Sequence, residues 1–158
     1  MEHKEMVLRP IGIACTSYGD MDAAPFQGCF SDNRAVVEIH GDYAAGLKDV
    51  EMAGYLIVLY WAHLADRGIL QTVTPWGPEI RGVFACRSSA RPNPISICVV
   101  ELLERDGNRL TVRGLDAVDV SAILDIIPYS SAIDAVAGAG IKWFEEREGR
   151  RGDGTAAG

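Results

Sequence analysis

The chain has 158 residues and carries 15 Lys plus Arg against 22 Asp plus Glu, which gives a formal net charge of −7. With 48% hydrophobic and 23% charged residues, it is predicted to be one globular domain with a real hydrophobic core. The acidic balance argues against coating of nucleic acid, because non-specific affinity depends on basic side chains that neutralise phosphates. No apolar stretch approaches the ~20 residues needed to cross a bilayer. No signal-peptide core follows the first residues, so we expect a cytoplasmic protein without membrane contacts.

The cysteines and histidines do not indicate a metal site. Zinc ligands are usually closely spaced, whereas the chain has no C-x-x-C pair and its histidines do not cluster. We therefore expect no bound metal and structural or incidental cysteines, with a reactive thiol as the alternative. The residues concerned are Cys15, Cys29, Cys86, Cys98, His3, His40 and His63.

Short strands dominate the predicted elements. Residues 6–14 form an apolar run, residues 34–40 alternate as a half-buried strand does, and residues 54–61 have the composition of a strand buried on both faces. After a loop with two prolines, a short strand is predicted at 82–86. The Asp-Gly pair at 106–107 then predicts a hairpin between 95–104 and 109–115, and a last strand is expected at 123–127. The helix candidates are 44–52 and 131–137.

This series of elements predicts a mainly β fold. The economical arrangement is a small antiparallel sheet curled toward a barrel over residues 1–144, with short helices. A Rossmann fold is not expected, because strands and helices do not alternate and Gly138-Ala-Gly140 follows no clear strand. Residues 145–158 have low hydrophobicity and four glycines, which predicts a disordered tail.

The densest chemistry lies in the Arg-Ser-Ser-Ala-Arg-Pro-Asn-Pro run at 87–94. Its prolines disfavour helix and predict a rigid irregular loop. The planar guanidinium groups of Arg87 and Arg91 suit carboxylate or phosphate, and the Asn93 amide can both donate and accept hydrogen bonds. Residues 80–100 contain three arginines and no acid. The alternative is a surface loop whose arginines pair with the acids at 116–125.

Further candidate groups lie outside this loop. Asp116 and Asp119 follow the hairpin, where carboxylates can bind a cation, take a proton or hold ribose hydroxyls, and turn formation is the alternative. His63 follows the apolar run 54–61 and is either a structural hydrogen-bonding group or a catalyst. A Cys or Ser hydrolase is a further, weaker hypothesis. It needs a cysteine or Ser88 within hydrogen-bond reach of His63, and we expect none there.

The run Gly82-Val-Phe-Ala-Cys-Arg-Ser-Ser-Ala-Arg-Pro-Asn-Pro-Ile95 closely resembles the signature G-V-F-A-T-R-S-x-x-R-P-N-P-I of the TsaA-like (YaeB, TrmO) family. Weaker blocks support the resemblance in the same order, at Pro10-Ile-Gly12, at the strand ending in His63 and at 114–129. The resemblance covers roughly residues 8–130. It implies a β-barrel-like domain, usually dimeric, that uses S-adenosylmethionine to methylate tRNA. The implied acceptor is the exocyclic nitrogen of threonylcarbamoyladenosine, beside the anticodon.

The resemblance also implies ligand-binding positions. The catalytic candidates are His63 and Asp119, while Arg91 and Asn93 would shape the loop or meet the tRNA substrate. Arg87 would pair with the carboxylate of the cofactor or with a tRNA phosphate. The residues implied to touch S-adenosylmethionine are Pro25, Phe26, Gln27, His63, Leu64, Arg87, Ile97, Leu115, Asp116, Ala117, Val118 and Asp119.

Three short segments depart from the family pattern. Asp119-Val-Ser-Ala122 stands where D-G-T-P is usual, Asp125-Ile-Ile-Pro-Tyr129 replaces D-I-K-P-Y, and Ile95-Ser96 replaces I-G. Val120 cannot adopt a turn that needs glycine cheaply, and the missing lysine removes a positive charge near the site. The lead hypothesis is a tRNA methyltransferase. These departures motivate the alternative of a non-catalytic module that binds S-adenosylmethionine or a nucleotide.

Overall fold

The computed structural model describes residues 5–152 of the chain. The strands in this part are β1 (Gly12–Cys15), β2 (Arg34–Ile39), β3 (Tyr55–Trp61), β4 (Gln71–Thr74), β5 (Gly77–Gly82), β6 (Ile95–Asp106), β7 (Arg109–Arg113) and β8 (Ala122–Pro128). The α-helices are α1 (Ser131–Asp134) and α2 (Lys142–Gly152). Short 3-10 turns lie at Gly28–Phe30, Gly41–Leu47, Val50–Met52 and Val83–Ala85.

Six strands close into an antiparallel barrel in the order β1-β2-β7-β6-β3-β8. Strand β1 pairs with β2 on one side and with β8 on the other, which closes the sheet on itself. Closure leaves these six strands without a free edge. The prediction of a mainly β, barrel-like fold is confirmed. Strands β4 and β5 form a separate two-stranded ribbon.

The interior of the barrel is the hydrophobic core. Successive side chains of a strand point to opposite faces, and in β3 buried positions alternate with less buried ones. The prediction that 54–61 is buried on both faces is therefore wrong, because the barrel interior covers only one face of the strand. The interior side chains with at most 1% exposure include Val37, Ile39, Leu56, Val58, Val100, Leu110, Val112 and Ile123.

The hairpin between β6 and β7 is as predicted. Asp106 pairs with Arg109, and Gly107 between them has φ +59°. Glycine adopts this left-handed conformation without steric cost. The pairing of β6 with β7 contains an irregularity between Leu102 and Glu104, which lets the long strand β6 bend around the barrel.

Several predicted boundaries are wrong. Strand β1 starts at Gly12 rather than at residue 6, because its partner β2 ends at Ile39, opposite Gly12. Residues 83–85 form a 3-10 turn rather than a strand, and the loop before them contains the ribbon β4–β5. The predicted helix at 44–52 is replaced by two 3-10 turns, and that at 131–137 by the single turn α1.

Residues 145–152, the first part of the predicted tail, belong to α2. The predicted domain boundary at 144 consequently falls inside this helix. Aromatic contacts hold α2 against the ribbon, since Phe144 packs against Trp76 with ring centroids 5.0 Å apart. Residues 153–158 of the predicted tail lie outside the described residues. No helix in the described part of the chain is long and apolar enough to span a membrane.

Candidate functional site

A pocket of about 820 Å³ lies at the end of the barrel where β3 ends and β6 and β8 begin. Four loops, the β4–β5 ribbon and α2 surround it. The early loop contributes residues 24–27, 29 and 30, and the segment after β3 contributes residues 62–65. The arginine loop, residues 86–91, contributes all but residue 90, and the turn before β8 contributes residues 116, 118 and 121. A second cavity of about 640 Å³ lies near the opposite ends of β1 and β3 and contains none of the residues predicted to bind a ligand.

Three successive residues of the early loop connect the parts of the pocket. The ring of Phe26 packs edge-on against Trp76 of the ribbon, with centroids 4.7 Å apart. The next side chain, Gln27, accepts a hydrogen bond from Arg87 Nε at 2.8 Å. The backbone N–H of Gly28 then donates to Asp116 Oδ2 at 3.0 Å. The early loop therefore joins the ribbon, the arginine loop and the segment before β8 at one place.

Gly28 lies in a position with no space for a side chain. A Cβ atom there would lie 1.8 Å from the carbonyl oxygen of Gly114 and 2.6 Å from Cys98 Sγ. Cys98 Sγ in turn donates a hydrogen bond to the Gly114 carbonyl at 2.9 Å. The close approach of the two backbone segments holds the early loop at the mouth of the barrel.

Asp116 is fixed by hydrogen bonds to both of its carboxylate oxygens. Besides Gly28, the hydroxyl of Tyr60 donates to Asp116 Oδ1 at 2.8 Å. Burial, followed by the charge of Asp116, raises the pKa of the Tyr60 hydroxyl well above its usual value, so Tyr60 stays a donor at neutral pH. Each carboxylate oxygen accepts one bond within the protein, and a carboxylate has capacity for more. Asp116 can therefore bind a donor group in the pocket without moving.

The two arginines of the arginine loop have different surroundings. Arg91 Nη1 donates to the carbonyls of Cys86 and Ser88, at 3.2 and 3.1 Å, and so holds the loop in shape. Arg87 uses Nε for Gln27, and its terminal amino groups make no hydrogen bond to a residue that the structure describes. The geometry leaves Arg87 able to bind a carboxylate or phosphate through two parallel N–H groups.

The ion pairs among residues 5–147 do not include the arginines of the arginine loop. On β6 and β7, Arg105, Arg109 and Arg113 each pair with a glutamate. Within residues 5–147, neither Arg87 nor Arg91 forms an ion pair. The alternative prediction, in which these arginines pair with the acids at 116–125, is therefore not what the described residues show.

His63 lies at the rim of the pocket and is held by a buried serine. Its Nδ1 atom lies 3.2 Å from the hydroxyl of Ser121, which is only 1% exposed. The hydrogen bond is to neither a cysteine nor Ser88. With Nδ1 engaged by the hydroxyl, Nε2 is the ring nitrogen left to exchange a proton with a ligand.

The turn that carries Ser121 has an unusual backbone. Val120 has φ +59°, in the left-handed region that a β-branched residue rarely occupies. The turn is closed by hydrogen bonds from Val120 N–H to the Ala14 carbonyl at 2.9 Å and from Ser121 N–H to the Val118 carbonyl at 3.1 Å. The neighbouring Asp119 accepts a hydrogen bond from Thr16 N–H at 2.9 Å. The turn is therefore tied to the end of β1.

No metal site is evident at the pocket. Across residues 5–147 there is no group of three or more His, Cys, Asp or Glu side chains arranged to hold a metal ion. The four cysteines are not joined in disulfides. Burial and the neighbouring Asp116 carboxylate raise the pKa of the Cys98 thiol, which makes it unreactive at neutral pH.

Comparison with protein families identifies this architecture. A family model described as the tRNA-methyltransferase O N-terminal domain matches residues 13–135, which include the barrel and the loops around the pocket. The chain belongs to this family.

Relatives of this TrmO-family chain include two proteins of Archaeoglobus fulgidus. One, named "Probable S-adenosyl-L-methionine-binding protein", is 50% identical over 139 residues, which are 88% of this chain and 38% of that protein. The other, named "S-adenosyl-L-methionine-binding protein", is 48% identical over 131 residues, which are 83% of this chain and 94% of that protein. This chain thus spans well under half the length of the first relative and nearly all of the second.

Solved TrmO structures share the fold. A crystal structure of TrmO aligns with a TM-score of 0.75 at 30% identity, over 89% of this chain and 63% of that chain. The crystal structure of TrmO from Pseudomonas aeruginosa aligns with a TM-score of 0.71 at 28% identity, over 87% of this chain and 62% of that chain. The present chain therefore spans less than two thirds of either solved chain.

The structure of this TrmO-family chain brings most of the predicted site residues to one pocket. Leu115 and Ala117 lie in the core instead, with 1% and 0% exposure. Asp119 and Asn93 are also outside the lining, since Asp119 binds the backbone of Thr16 and the Asn93 carbonyl accepts from Ile95 N–H at 2.7 Å. The predicted residues that line the pocket are Pro25, Phe26, Gln27, His63, Leu64, Arg87, Arg91, Ile97, Asp116 and Val118.

Among the lining residues that were not predicted from the sequence, five carry a polar or aromatic group that matters to the site. Tyr60 was predicted only as part of a buried strand, and Ser121 was noted only as part of a departure from the family pattern. Trp76 lies in a segment predicted as loop, and Trp143 and Phe144 lie at the end of the predicted domain. A tryptophan in a segment that otherwise has no apolar pattern was the available signal, because such a large apolar side chain is usually packed against something.

Proposed function

We propose that this chain binds S-adenosylmethionine in the 820 Å³ pocket and transfers its methyl group to tRNA. The proposed acceptor is the exocyclic nitrogen of threonylcarbamoyladenosine. Membership of the tRNA-methyltransferase O family and the names of the Archaeoglobus relatives support the reaction class. The observation that carries the proposal is the convergence of Arg87, Asp116 and His63 on one pocket through the early loop.

The donor set fits the charged ends of the cofactor. Arg87 has two terminal amino groups for the carboxylate of the amino acid end, and Gln27 holds the guanidinium in place. Asp116 is oriented by Tyr60 and Gly28, and its remaining lone pairs can accept from ribose hydroxyls or from the ammonium group. The pocket size also fits, since ligand sites of this kind occupy roughly 300–1,000 Å³.

The residues of this chain also provide a candidate base. When bound, S-adenosylmethionine supplies an electrophilic methyl group on a positively charged sulfur. His63 would take the proton from the acceptor nitrogen at Nε2, while Ser121 holds Nδ1. In the overall reaction the acceptor gains a C–N bond and loses this proton, and the methyl–sulfur bond breaks with its electron pair on sulfur. His63 is favoured over Asp119, whose carboxylate contacts the end of β1.

Methyl transfer to purified tRNA tests the proposal. The protein is incubated with methyl-labelled S-adenosylmethionine and matched tRNAs that carry or lack the threonylcarbamoyl group. We expect label only in the modified tRNA, and strongly reduced transfer in His63→Gln. Arg109→Ala is the matched control, because Arg109 pairs with Glu38 on the barrel wall outside the pocket. Absence of label from both tRNAs would contradict the proposal.

A binding module without catalysis is the second candidate. It is favoured by the names of the relatives, which describe binding, and by the strained backbone at Val120 next to Ser121. Calorimetry separates the two candidates. Tight S-adenosylmethionine binding without transfer to total tRNA supports the module, and absence of binding contradicts both.

We further propose that the protein is cytoplasmic, since tRNA is its proposed partner. We also propose that it forms a homodimer, because part of the outer barrel surface is apolar. Val99 of β6, Ile57 of β3 and Ile127 of β8 lie side by side in the strand register, and Val99 and Ile127 are each 44% exposed. A second copy that covers this patch would remove these side chains from water. Light scattering after size exclusion should give twice the chain mass of 17.1 kDa. Val99→Glu should give monomers, and a monomeric wild type would contradict the dimer.

A further inference from the structure

Three aromatic rings in the pocket, those of Trp76, Trp143 and Phe144, have no role in the proposed cofactor contacts, and they pack with Phe26 of the early loop. Trp76, at the turn of the ribbon, packs edge-on between Phe26 and Phe144, with centroid distances of 4.7 and 5.0 Å. Trp143 packs edge-on against Phe144 at 6.2 Å. All four rings line the pocket. We refer to Phe26, Trp76, Trp143 and Phe144 as the aromatic wall.

The aromatic wall is built to stay in place. The indole N–H of Trp143 donates to the Ala85 carbonyl at 3.0 Å, and Arg147 of α2 pairs with Glu79 of the ribbon. These contacts bind α2 to the ribbon and to the turn before the arginine loop. The aromatic wall nevertheless remains accessible from solvent, since Phe26 is 51% exposed. Fixed aromatic rings with accessible surface in a pocket suit a flat, π-rich ligand.

Charge at the wall points to a nucleotide rather than to an uncharged aromatic molecule. The guanidinium of Arg81 lies over the Trp143 ring, 4.3 Å from its centroid. Like Arg87 and Arg91, it forms no ion pair among residues 5–147. Single-stranded nucleic acids are bound by stacking of bases on aromatic rings together with basic groups that contact phosphates.

We propose that the aromatic wall is the subsite for the base of the acceptor nucleotide, which enters unstacked from a single-stranded loop. This inference rests on the proposed function and assigns its acceptor side. The polar groups suited to the cofactor come from loops at the barrel mouth. The wall comes mostly from the ribbon and α2, which are not paired with the barrel strands.

The early loop places the two subsites next to each other. Phe26 belongs to the wall, whereas the adjacent Gln27 contacts Arg87. A base on the wall would therefore lie beside the proposed cofactor position, as in-line transfer of a methyl group requires. The wall holds the acceptor, and His63 on the neighbouring segment faces the same pocket.

Substitutions at Trp76 separate stacking from packing. Trp76→Leu keeps an apolar side chain against Phe26 and Phe144 but has no ring to stack on a base, whereas Trp76→Phe keeps a ring. Ile80→Ala is the matched control, because Ile80 is on the same ribbon, is 69% exposed and does not line the pocket. Circular dichroism and thermal unfolding of each variant show whether the fold is retained.

Two affinities are measured for each protein. Fluorescence anisotropy gives the affinity for a short labelled single-stranded RNA that carries threonylcarbamoyladenosine, the proposed acceptor, with S-adenosylhomocysteine present so that no reaction occurs. Calorimetry gives the affinity for S-adenosylhomocysteine itself. We expect Trp76→Leu to weaken RNA binding about tenfold, the order of one lost base–aromatic stack, with an unchanged affinity for S-adenosylhomocysteine. Trp76→Phe and Ile80→Ala should resemble the wild type.

The outcomes distinguish this inference from the function on which it rests. If wild-type protein binds S-adenosylhomocysteine but no RNA, the proposed RNA methylation fails, and the acceptor subsite fails with it. If wild-type protein binds RNA and Trp76→Leu binds it equally well, only the acceptor subsite is overturned. If Trp76→Leu loses affinity for S-adenosylhomocysteine to the same extent as for RNA, the wall belongs to the cofactor and the assignment is wrong.

Discussion

Replacing Val120 by glycine perturbs one backbone position in the turn that carries Ser121. Val120 has φ +59°, where the side chain of an L-residue crowds the following carbonyl. The side chain itself is 60% exposed, so little packing is lost when it is removed. The substitution therefore tests whether the turn stores conformational strain.

The expected gain in the free energy of unfolding is the balance of one favourable and two unfavourable contributions. Relief of the left-handed conformation is worth about 2 kcal/mol for a β-branched residue. The greater freedom of glycine in the unfolded chain costs about 0.8 kcal/mol, and loss of the partly buried valine surface costs about 0.6 kcal/mol. We expect Val120→Gly to raise the free energy of unfolding by about 0.6 kcal/mol.

Urea unfolding provides the assay, and Val136→Gly provides the control. Val136 is 74% exposed and does not have a positive φ, so its replacement should lower the free energy of unfolding by about 1 kcal/mol. The two variants should thus shift the urea midpoint in opposite directions with an unchanged slope. Equal destabilisation by both substitutions would refute the claim that Val120 is strained.

Three further predictions concern groups at or next to the pocket. Gly28→Ala should lower the free energy of unfolding by about 3 kcal/mol or more, because its Cβ would lie 1.8 Å from a backbone carbonyl oxygen. Gly19 has open space around it, so Gly19→Ala should change the free energy of unfolding by less than about 0.5 kcal/mol. Equal effects of the two substitutions would contradict the close approach at Gly28. The raised pKa of Tyr60 means that the unfolded chain loses this proton first, so stability is full below the unfolded pKa of about 10 and falls as the pH rises above it. Tyr60→Phe should remove part of this loss of stability at alkaline pH, measured by urea unfolding. An unchanged dependence of stability on pH would contradict the contribution of Tyr60. Ser121→Ala should lower kcat about fivefold, equivalent to the loss of one hydrogen bond, and should leave the cofactor affinity unchanged. Ser121→Thr keeps the hydroxyl and should recover kcat. A loss confined to cofactor affinity would contradict the role of Ser121 in holding His63.

Local patterns in the sequence were sufficient for most of the barrel. The Asp-Gly pair predicted the β6–β7 hairpin because a two-residue turn and its flanking strands are determined within a few residues. The start of β1 and the ribbon β4–β5 were missed for a different reason. Strand β1 begins only where β2 provides a partner, and β5 tolerates Pro78 because the ribbon has just two strands and each has an unpaired edge. The start of β1 therefore depends on a partner distant in the sequence, whereas the ribbon was missed because its two prolines indicated a loop.

The candidate site was predictable as a set of residues but not as a geometry. Arg87 and Asp116 stood out by residue type, yet their connection through Gln27 and Gly28 depends on a loop whose conformation no local pattern specifies. Asp119 resembled Asp116 in the sequence, and only the fold shows that its carboxylate contacts Thr16. Helix α2 was missed because its charged residues indicated a tail, whereas Phe144 packs against Trp76 of the ribbon and Trp143 donates to the carbonyl of Ala85.

Calorimetric titration of S-adenosylmethionine tests the central claim most directly. The wild type should bind, Arg87→Ala should bind about tenfold or more weakly because one charge-assisted hydrogen-bonded pair is lost, and Arg109→Ala should bind as the wild type does. Thermal unfolding should show that all three proteins keep the fold. Absence of binding to the wild type, or equal affinity of folded Arg87→Ala, would contradict the assignment of the pocket.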